Sequence, residues 1–230
     1  MHPHHFVIAI DGPAASGKST TARRTARELG FLHLDTGAMY RAFTLKVIRA
    51  GIDPGDPAAV GRLVGLTHIE LRRPDGGLQV LLDGEDVSQA IRGAEVTAAV
   101  SRVSSLRAVR DAMVREQRRA ADQWDVVAEG RDIGTVVFPN ADLKFFMVAG
   151  IDARARRRQA ELRIAGMEMD LADVAAAIDE RDRLDSTREE SPLRRAPDAI
   201  EVDTSDMTIE EQVAYVTRIA RQRLTGGRGG

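Results

Sequence analysis

A glycine-rich loop near the start of the chain carries residue types that hold phosphate. The segment Gly12-Pro13-Ala14-Ala15-Ser16-Gly17-Lys18-Ser19 follows the apolar run Phe6–Ile10 and precedes a stretch with helical periodicity. It matches G-x-x-x-x-G-K-[ST], the P-loop pattern, in which backbone N–H groups and a helix N-terminus cradle phosphate. Lys18 would add a positive charge, Ser19 a hydroxyl ligand for Mg²⁺, and Thr20 a donor to the α-phosphate. We therefore predict that residues 12–20 bind the phosphates of a nucleoside triphosphate.

One missing motif limits the class of P-loop protein. Switch proteins that read guanine use an N-K-x-D element, and the only asparagine here, Asn140, is followed by Ala141-Asp142. A guanine-reading switch is therefore disfavoured.

Two arginines follow predicted strands. Arg41 lies in Asp35-Thr36-Gly37-Ala38-Met39-Tyr40-Arg41, and Arg131 in Glu129-Gly130-Arg131-Asp132. Parallel strands end at one edge of a sheet, so both should lie near the loop. Either alone could form a surface salt bridge, but together they predict a site for an acceptor phosphate. Asp11, Asp35 and Glu129 also end strands and could order Mg²⁺-bound water; which one does so stays open.

A second group of charged residues lies on predicted helices. Arg110 falls on the apolar stripe of Leu106, Val109 and Met113, where it needs a partner. It could form a structural ion pair or read a base together with Asp132. Arg181, Asp185 and Arg188 recur at helical spacing, which fits either one functional stripe or a solvated face.

An arginine-rich helix start follows the strand that ends near Val148. Arg154, Arg157 and Arg158 share one face of this helix. Like charges at a positive helix end repel one another, so we predict a lid over residues 150–170 that closes on an anion. Arg157 and Arg158, with Lys18, would stabilise the transferring phosphoryl group. Nucleic-acid binding or a solvated helix are the alternatives.

The elements that position these residues indicate an α/β fold. Short apolar runs predict about five parallel strands, at residues 6–10, 31–34, 126–128, 143–148 and 199–202. Helices are predicted over residues 19–29, 36–49, 105–121, 152–165, 171–188 and 208–224, with Asp152 and Thr208 as N-caps. Pro74-Asp75-Gly76-Gly77 between two apolar runs predicts a β-hairpin insert over about residues 62–93, within one domain of residues 1–230.

The composition limits partners and location. The 33 basic and 35 acidic residues nearly cancel, so we expect no nucleic-acid or membrane partner. The absence of cysteine excludes a disulfide framework, and no apolar run approaches a membrane span, so we expect a cytoplasmic protein. His2, His4 and His5, and the glycine-rich tail from Gly226, are interpreted as frayed ends rather than a metal site and a functional segment.

These motifs together resemble the bacterial cytidylate kinases over nearly the whole chain. The resemblance rests on D-T-G-A-M-Y-R, on G-R-D-I-G-T-V-V-F-P and on E-R-D-R-L-D-S-T-R, beside the P-loop and the insert. It implies transfer of the γ-phosphoryl group of Mg-ATP to CMP, with dCMP as a second acceptor, by a protein expected to be a monomer. The CMP-binding residues that it implies are Thr36, Arg41, Ser101, Arg110, Arg131, Asp132, Arg181, Asp185 and Arg188.

Two other functions are compatible with a P-loop. A kinase of a small non-nucleotide metabolite would share the loop but would not need the arginines on the acceptor side. A nonenzymatic ATP-dependent regulator or nucleic-acid-binding module would bind ATP without an acceptor.

Overall fold

The computed structural model describes residues 5–72, 79–164 and 166–226. Its strands are β1 (Val7–Asp11), β2 (Leu32–Asp35), β3 (Ile69–Arg72), β4 (Gln79–Leu82), β5 (Glu85–Asp86), β6 (Val126–Gly130), β7 (Leu143–Val148) and β8 (Ile200–Asp203). Its helices are α1 (Lys18–Leu29), α2 (Thr36–Arg49), α3 (Pro57–Val64), α4 (Ala94–Ser105), α5 (Arg107–Ala121), α6 (Ile151–Ile164), α7 (Leu171–Thr187) and α8 (Ile209–Gly226).

The chain folds into two compact units. The first unit comprises Met1–Leu34 and Ala120–Gly230, and the second unit comprises Asp35–Arg119. The predicted extents of a single domain, of the insert and of the lid stay predictions.

A five-stranded sheet forms the centre of the first unit. Its strand order is β2-β6-β1-β7-β8, and β1 pairs in parallel with both β6 and β7. Ile8 and Ile10 of β1 are fully buried because this central strand is covered on both faces, as its unbroken apolar run predicts. Val216 and Ala220 of α8 belong to the same core cluster, as do residues of α1. The predicted α/β class and central position of β1 are confirmed.

The second unit is built around α2 and a small antiparallel sheet. The sheet order is β3-β4-β5, and Ile69 pairs with Leu82 across the first two strands. Asp35 caps α2, because its carboxylate accepts a hydrogen bond from the Ala38 N–H at 2.9 Å. The antiparallel pairing of β3 and β4 was predicted, whereas the expected turn at residues 74–77 lies outside the described residues.

The helix predictions were partly wrong. The structure contains α3 and α4, which the sequence interpretation missed. Asp152 does not cap α6; it lies in the first turn, because the helix begins at Ile151 and the Arg154 N–H donates to the Gly150 carbonyl. Thr208 does cap α8: its hydroxyl accepts from the Glu211 N–H at 3.2 Å, and Glu211 accepts in return from the Thr208 N–H at 2.8 Å.

Over the described part of the chain, no helix has both the length and the apolar character needed to cross a bilayer.

Candidate active site

The loop between β1 and α1 depends on glycine at two positions. Gly17 precedes α1 with φ 90°, and a Cβ there would lie 2.7 Å from Gln212 Oε1. A Cβ on Gly12 would lie 2.2 Å from the Met147 carbonyl oxygen on the neighbouring strand. Larger residues would therefore displace the loop from the sheet and from α8. The loop also holds Ala15 at φ 58°, a left-handed conformation that is unfavourable for alanine.

Lys18 is buried at the start of α1. Its Nζ donates to the Pro13 carbonyl at 2.9 Å, so the side chain folds back over the loop. The pKa of Lys18 is lowered to about 7, chiefly by burial and then by the charge of Arg131, against an opposing effect of Glu129. A phosphate placed in the loop would restore the full charge of this ammonium group.

The predicted Mg²⁺ ligand, Ser19, is joined to a buried carboxylate. Its hydroxyl donates to Glu129 Oε2 at 2.5 Å, and Glu129 Oε1 lies 3.2 Å from His33 Nε2. Burial alone would raise the pKa of Glu129, but the contacts with His33, Lys18 and Ser19 hold it below its usual range. Glu129 is therefore a carboxylate beside the hydroxyl. Glu129 is one of the three candidates for ordering Mg²⁺-bound water, and its carboxylate contacts the Ser19 hydroxyl directly.

Asp11 and Asp35 have other partners. The carboxylate of Asp11 accepts from the backbone N–H groups of Ile133 at 2.8 Å and Gly134 at 2.7 Å. Burial raises the pKa of Asp11 to about 6, although these two hydrogen bonds act in the opposite direction. Asp11 thus holds the start of a π-helical turn, Ile133–Val137, which directly follows Arg131 and Asp132. Asp35 caps α2, as described above.

The first unit brings five of the predicted acceptor residues together. Arg131 Nε donates to Asp185 Oδ2 at 2.7 Å, and Arg188 Nη2 lies 3.8 Å from Asp132 Oδ1. Burial would raise the pKa of Asp185, but Arg131, Arg181 and Arg188 hold it below its usual range. The predicted helical stripe is correct for Arg181 and Asp185, whereas α7 ends at Thr187 and Arg188 adopts an extended conformation.

The second unit contains the other four predicted acceptor residues: Thr36, Arg41, Ser101 and Arg110. Arg41 Nη1 donates to Thr97 Oγ1 at 3.0 Å, which ties α2 to α4. Thr36 is buried at the start of α2, and the Ser101 carbonyl accepts from Ser104 Oγ at 3.2 Å within α4.

Arg110 is buried in α5, as its position on the apolar stripe predicted. Its guanidinium carbon lies 5.7 Å from the centre of the Tyr40 ring, a cation–π distance. Its Nη1 also donates to the Ser104 carbonyl at 3.4 Å. A role for Arg110 in reading a base with Asp132 stays a prediction, as do the CMP-binding roles of the whole set.

The three arginines of the predicted lid each have a partner. Arg154 is buried and paired with Asp182 of α7. Arg157 donates to Thr204 Oγ1 at 3.2 Å and to the Thr204 carbonyl, after β8. Arg158 pairs with Glu161 at 2.9 Å one turn along α6. The three arginines on this face are therefore not three unpaired, repelling charges, because each one donates to an oxygen acceptor. The predicted catalytic roles of Arg157 and Arg158 stay predictions.

Sequence reasoning missed His33 and Asp182. A single histidine in a short strand has no spacing that distinguishes it from a structural residue. Asp182 lies within the charged E-R-D-R-L-D-S-T-R run, but its partners, Arg154 and Ala14, are 28 and 168 residues away. The run contains three acidic and three basic residues, so nothing in it distinguished Asp182 from the other two carboxylates.

The fold and the loop define a P-loop protein: a phosphate cradle joins the central parallel strand to the following helix, with a buried lysine and a serine–carboxylate pair at its end. The family model for cytidylate kinase matches residues 8–222. The chain is 51% identical over 218 residues to a cytidylate kinase of Mycobacterium avium, covering 94% of this chain and 96% of that protein. It is 48% identical over 217 residues to that of Geobacillus thermodenitrificans, covering 94% and 97%.

Among solved structures, the chain is similar to a shikimate kinase from Bacteroides thetaiotaomicron, with a TM-score of 0.45 and 15% identity over 94% of this chain and 98% of that one. The chain belongs to the cytidylate kinase family.

Proposed function

We propose that this chain transfers the γ-phosphoryl group of ATP to CMP, and also to dCMP, to give ADP and the corresponding diphosphate. The observation that carries this proposal is a P-loop with a buried Lys18 in a chain that belongs to the cytidylate kinase family over nearly its whole length. The arginine–carboxylate pairs Arg131–Asp185 and Arg188–Asp132 in the same unit as the loop give it further support.

The loop would bind ATP, the phosphoryl donor. Backbone N–H groups of residues 12–20 would hold the ATP phosphates, and Lys18 would balance charge that moves onto the β–γ bridging oxygen as the bond breaks. A lysine with a pKa near 7 gains charge when a polyanion arrives, so binding and charging are coupled.

Ser19 and Glu129 fit a magnesium ion. Both offer hard oxygen donors, and Mg²⁺ is usually held in kinases by one or two protein oxygens, substrate phosphates and water. We propose that Ser19 binds the ion directly and that Glu129 orients its water ligands. When bound, the ion would neutralise charge on the β- and γ-phosphates.

The acceptor side requires positioning rather than a general base. The phosphate of CMP is ionised at pH 7, so its oxygen can attack without losing a proton to the protein. We propose that Arg41, Arg131 and Arg188 hold this phosphate. Asp132, Arg110 and Ser101 would read the cytosine, and Thr36, Arg181 and Asp185 would contact the nucleotide further. Arg157 and Arg158 would act late, on the transferring group. The absence of cysteine supports a cytoplasmic location for this reaction.

An ADP-release assay over a panel of acceptors tests the proposal. We expect ATP consumption that depends on CMP or dCMP and is weaker with UMP, AMP and GMP. Consumption with shikimate or gluconate but not with any monophosphate would instead indicate a metabolite kinase. ATP binding without consumption in the presence of any acceptor would indicate a nonenzymatic module.

A further inference from the structure

Two charged side chains hold Ala14 of the phosphate loop through the peptide groups on either side of its Cα. The Ala14 N–H donates to Asp182 Oδ1 at 3.1 Å, and Arg154 Nη1 donates to the Ala14 carbonyl at 3.4 Å. The same Arg154 nitrogen also contacts Asp182 Oδ2, so the arginine, the carboxylate and Ala14 close a ring of hydrogen bonds. Arg154 Nε donates in addition to the Ala149 carbonyl at 2.9 Å, which fixes the guanidinium relative to the end of β7.

This ring lies beside the strained residue of the loop. Ala15 adopts φ 58°, which a residue with a Cβ holds only when its surroundings enforce it. The Ala14 carbonyl belongs to the peptide group just before the Ala15 Cα, so a flip of this peptide, which changes ψ of Ala14 together with φ of Ala15, would break the bond to Arg154. The Ala15 side chain also packs against the apolar cluster of α6 and α7 that includes Ala155 and Ile178. Polar and apolar contacts therefore restrain the same residue.

The charges of Arg154 and Asp182 indicate that the pair positions the loop backbone rather than binding phosphate. The side chains of Arg154 and Asp182 are only 11% and 17% exposed, so their charges neutralise one another with little screening by water. A neutral pair adds no net attraction for a polyanion. A buried ion pair is also a weak source of stability, since desolvation offsets most of the attraction. What the pair does provide is a defined geometry for the two peptide groups that flank Ala14, one held by Asp182 and the other by Arg154.

We propose that Arg154 and Asp182 are positioning residues that hold the two peptide groups flanking Ala14 in their phosphate-accepting conformation before the nucleotide arrives. This rests on the proposed function in one respect, namely that the loop binds the phosphates of ATP. A loop ordered in advance does not lose conformational entropy on binding, so its affinity for nucleotide is higher. The pair acts on ATP affinity through the backbone and touches neither substrate.

The test compares nucleotide affinities of Arg154→Ala, Asp182→Ala and the double variant, measured by calorimetric titration with ADP alone and with CMP alone. Arg183→Ala is the matched control, because Arg183 is the next residue of α7 and forms an exposed pair with Glu180. We expect each single variant to bind ADP about tenfold more weakly, with CMP affinity nearly unchanged. The double variant should be no weaker than the weaker single variant, because the two residues act as one unit. Arg183→Ala should bind both ligands like the wild type.

A rescue variant separates positioning from general destabilisation. Glycine adopts positive φ without strain, so Ala15→Gly in the Asp182→Ala background should recover part of the lost ADP affinity. Unchanged ADP affinity in both single variants would overturn the proposal. Equal losses for ADP and CMP, or strictly additive losses in the double variant, would also overturn it.

Hydrogen exchange gives a second measurement that needs no variant. In the nucleotide-free wild-type protein, the Ala14 N–H should exchange much more slowly than an exposed loop amide, since Asp182 accepts its hydrogen bond. Exchange at this amide as fast as at an exposed loop amide would contradict the proposal, even if the variants failed to fold. Both measurements are independent of turnover: a wild-type protein that binds ADP as described but does not phosphorylate CMP would refute the proposed function and leave this inference standing.

Discussion

The hydroxyl of Ser19 and the carboxylate of Glu129 lie 2.5 Å apart, although they are 110 residues apart in sequence. Ser19 is the second residue of α1, and Glu129 lies near the end of β6, the strand that pairs with β1. Parallel pairing brings the C-terminal ends of both strands to one edge, so the carboxylate reaches the phosphate loop. Because the contact follows from the topology of the sheet, it should persist in variants that leave the strands intact.

We expect Glu129→Gln to weaken the use of Mg²⁺. A neutral amide would orient the metal-bound water less strongly, and the Mg²⁺ concentration for half-maximal activity should rise about tenfold. ADP affinity measured without Mg²⁺ should change little. Glu201→Gln, which removes an exposed carboxylate paired with Arg195, serves as the control. An unchanged Mg²⁺ requirement in Glu129→Gln would exclude Glu129 from the metal site.

We expect the Lys18 side chain to become protonated when a nucleotide binds. The pKa of Lys18 is lowered to about 7 in the nucleotide-free protein, so most of its side chains are neutral at pH 8. Bound phosphate favours the charged form, so we expect each ADP to take up a large fraction of a proton at pH 8 and much less at pH 6. Calorimetric titrations in buffers of different ionisation enthalpy measure this number.

Lys46→Met is the control for this proton uptake, because Lys46 forms an exposed pair with Asp83. Its uptake should equal that of the wild type. If the wild type takes up no proton at pH 8, Lys18 is already charged before the nucleotide binds.

Gly17→Ala should lower the free energy of unfolding more than Gly30→Ala does, although both glycines have positive φ. At Gly30 nothing lies within 4 Å of an added Cβ, so alanine meets only the backbone strain, about 1–2 kcal/mol. At Gly17 the Cβ would also lie 2.7 Å from Gln212 Oε1. Chemical unfolding of both variants measures the difference in the free energy of unfolding.

Gln212→Ala in the Gly17→Ala background should recover the steric part of this loss but not the strain. Gln212 itself accepts from Thr21 Oγ1 at 2.8 Å, so Gln212→Ala alone provides the reference. Equal free energies of unfolding for Gly17→Ala and Gly30→Ala would show that the Gln212 contact does not matter.

Base selection should depend on Asp132 and not on Arg41. Cytosine offers a donor at its exocyclic amine, which a carboxylate can accept, whereas uracil presents an oxygen acceptor there. We expect Asp132→Ala to narrow the ratio of kcat/KM for CMP over UMP by at least about tenfold. Arg41→Ala should lower both values by similar factors, since every monophosphate carries the same phosphate.

Asp132 also lies 3.8 Å from Arg188, so some loss common to both substrates is expected from its removal. The ratio of kcat/KM for CMP to kcat/KM for UMP is therefore the informative quantity. If Asp132→Ala lowers kcat/KM for CMP and UMP by one and the same factor, the preference for cytosine has another origin.

The parts of this structure that could be predicted from sequence are those with a local cause. The run Ile8–Ile10 is buried in a central strand because it is apolar without interruption, and the loop after it has a fixed spacing of glycine, lysine and serine. Arg110 was expected to be buried because its neighbours one turn away are apolar. Each of these inferences needed residues within a few positions of one another.

The parts that could not be predicted depend on partners far along the chain. Nothing near Arg110 indicated Tyr40, and nothing near Arg154 indicated Asp182, because side-chain pairing across helices leaves no periodic trace. Helix α3 was missed because its eight residues include Pro57 and Gly61, which usually indicate a loop. In fact Asp56 caps this helix and Pro57 takes its first position, where proline is favoured.

In the π-helical turn Ile133–Val137, the number of residues matters for the positions of the side chains as much as the residue types do. The Asp132 carbonyl accepts from both Val136 at 2.8 Å and Val137 at 3.1 Å, so the turn is one residue wider than an α-helical turn. Asp11 holds its start, and the strand β7 that follows is fixed in the sheet by pairing with β1. Deleting a single residue would leave every functional side chain present but shift the helical phase by about 100°. A gap of one residue here is thus not a neutral difference between homologues, whatever their overall identity.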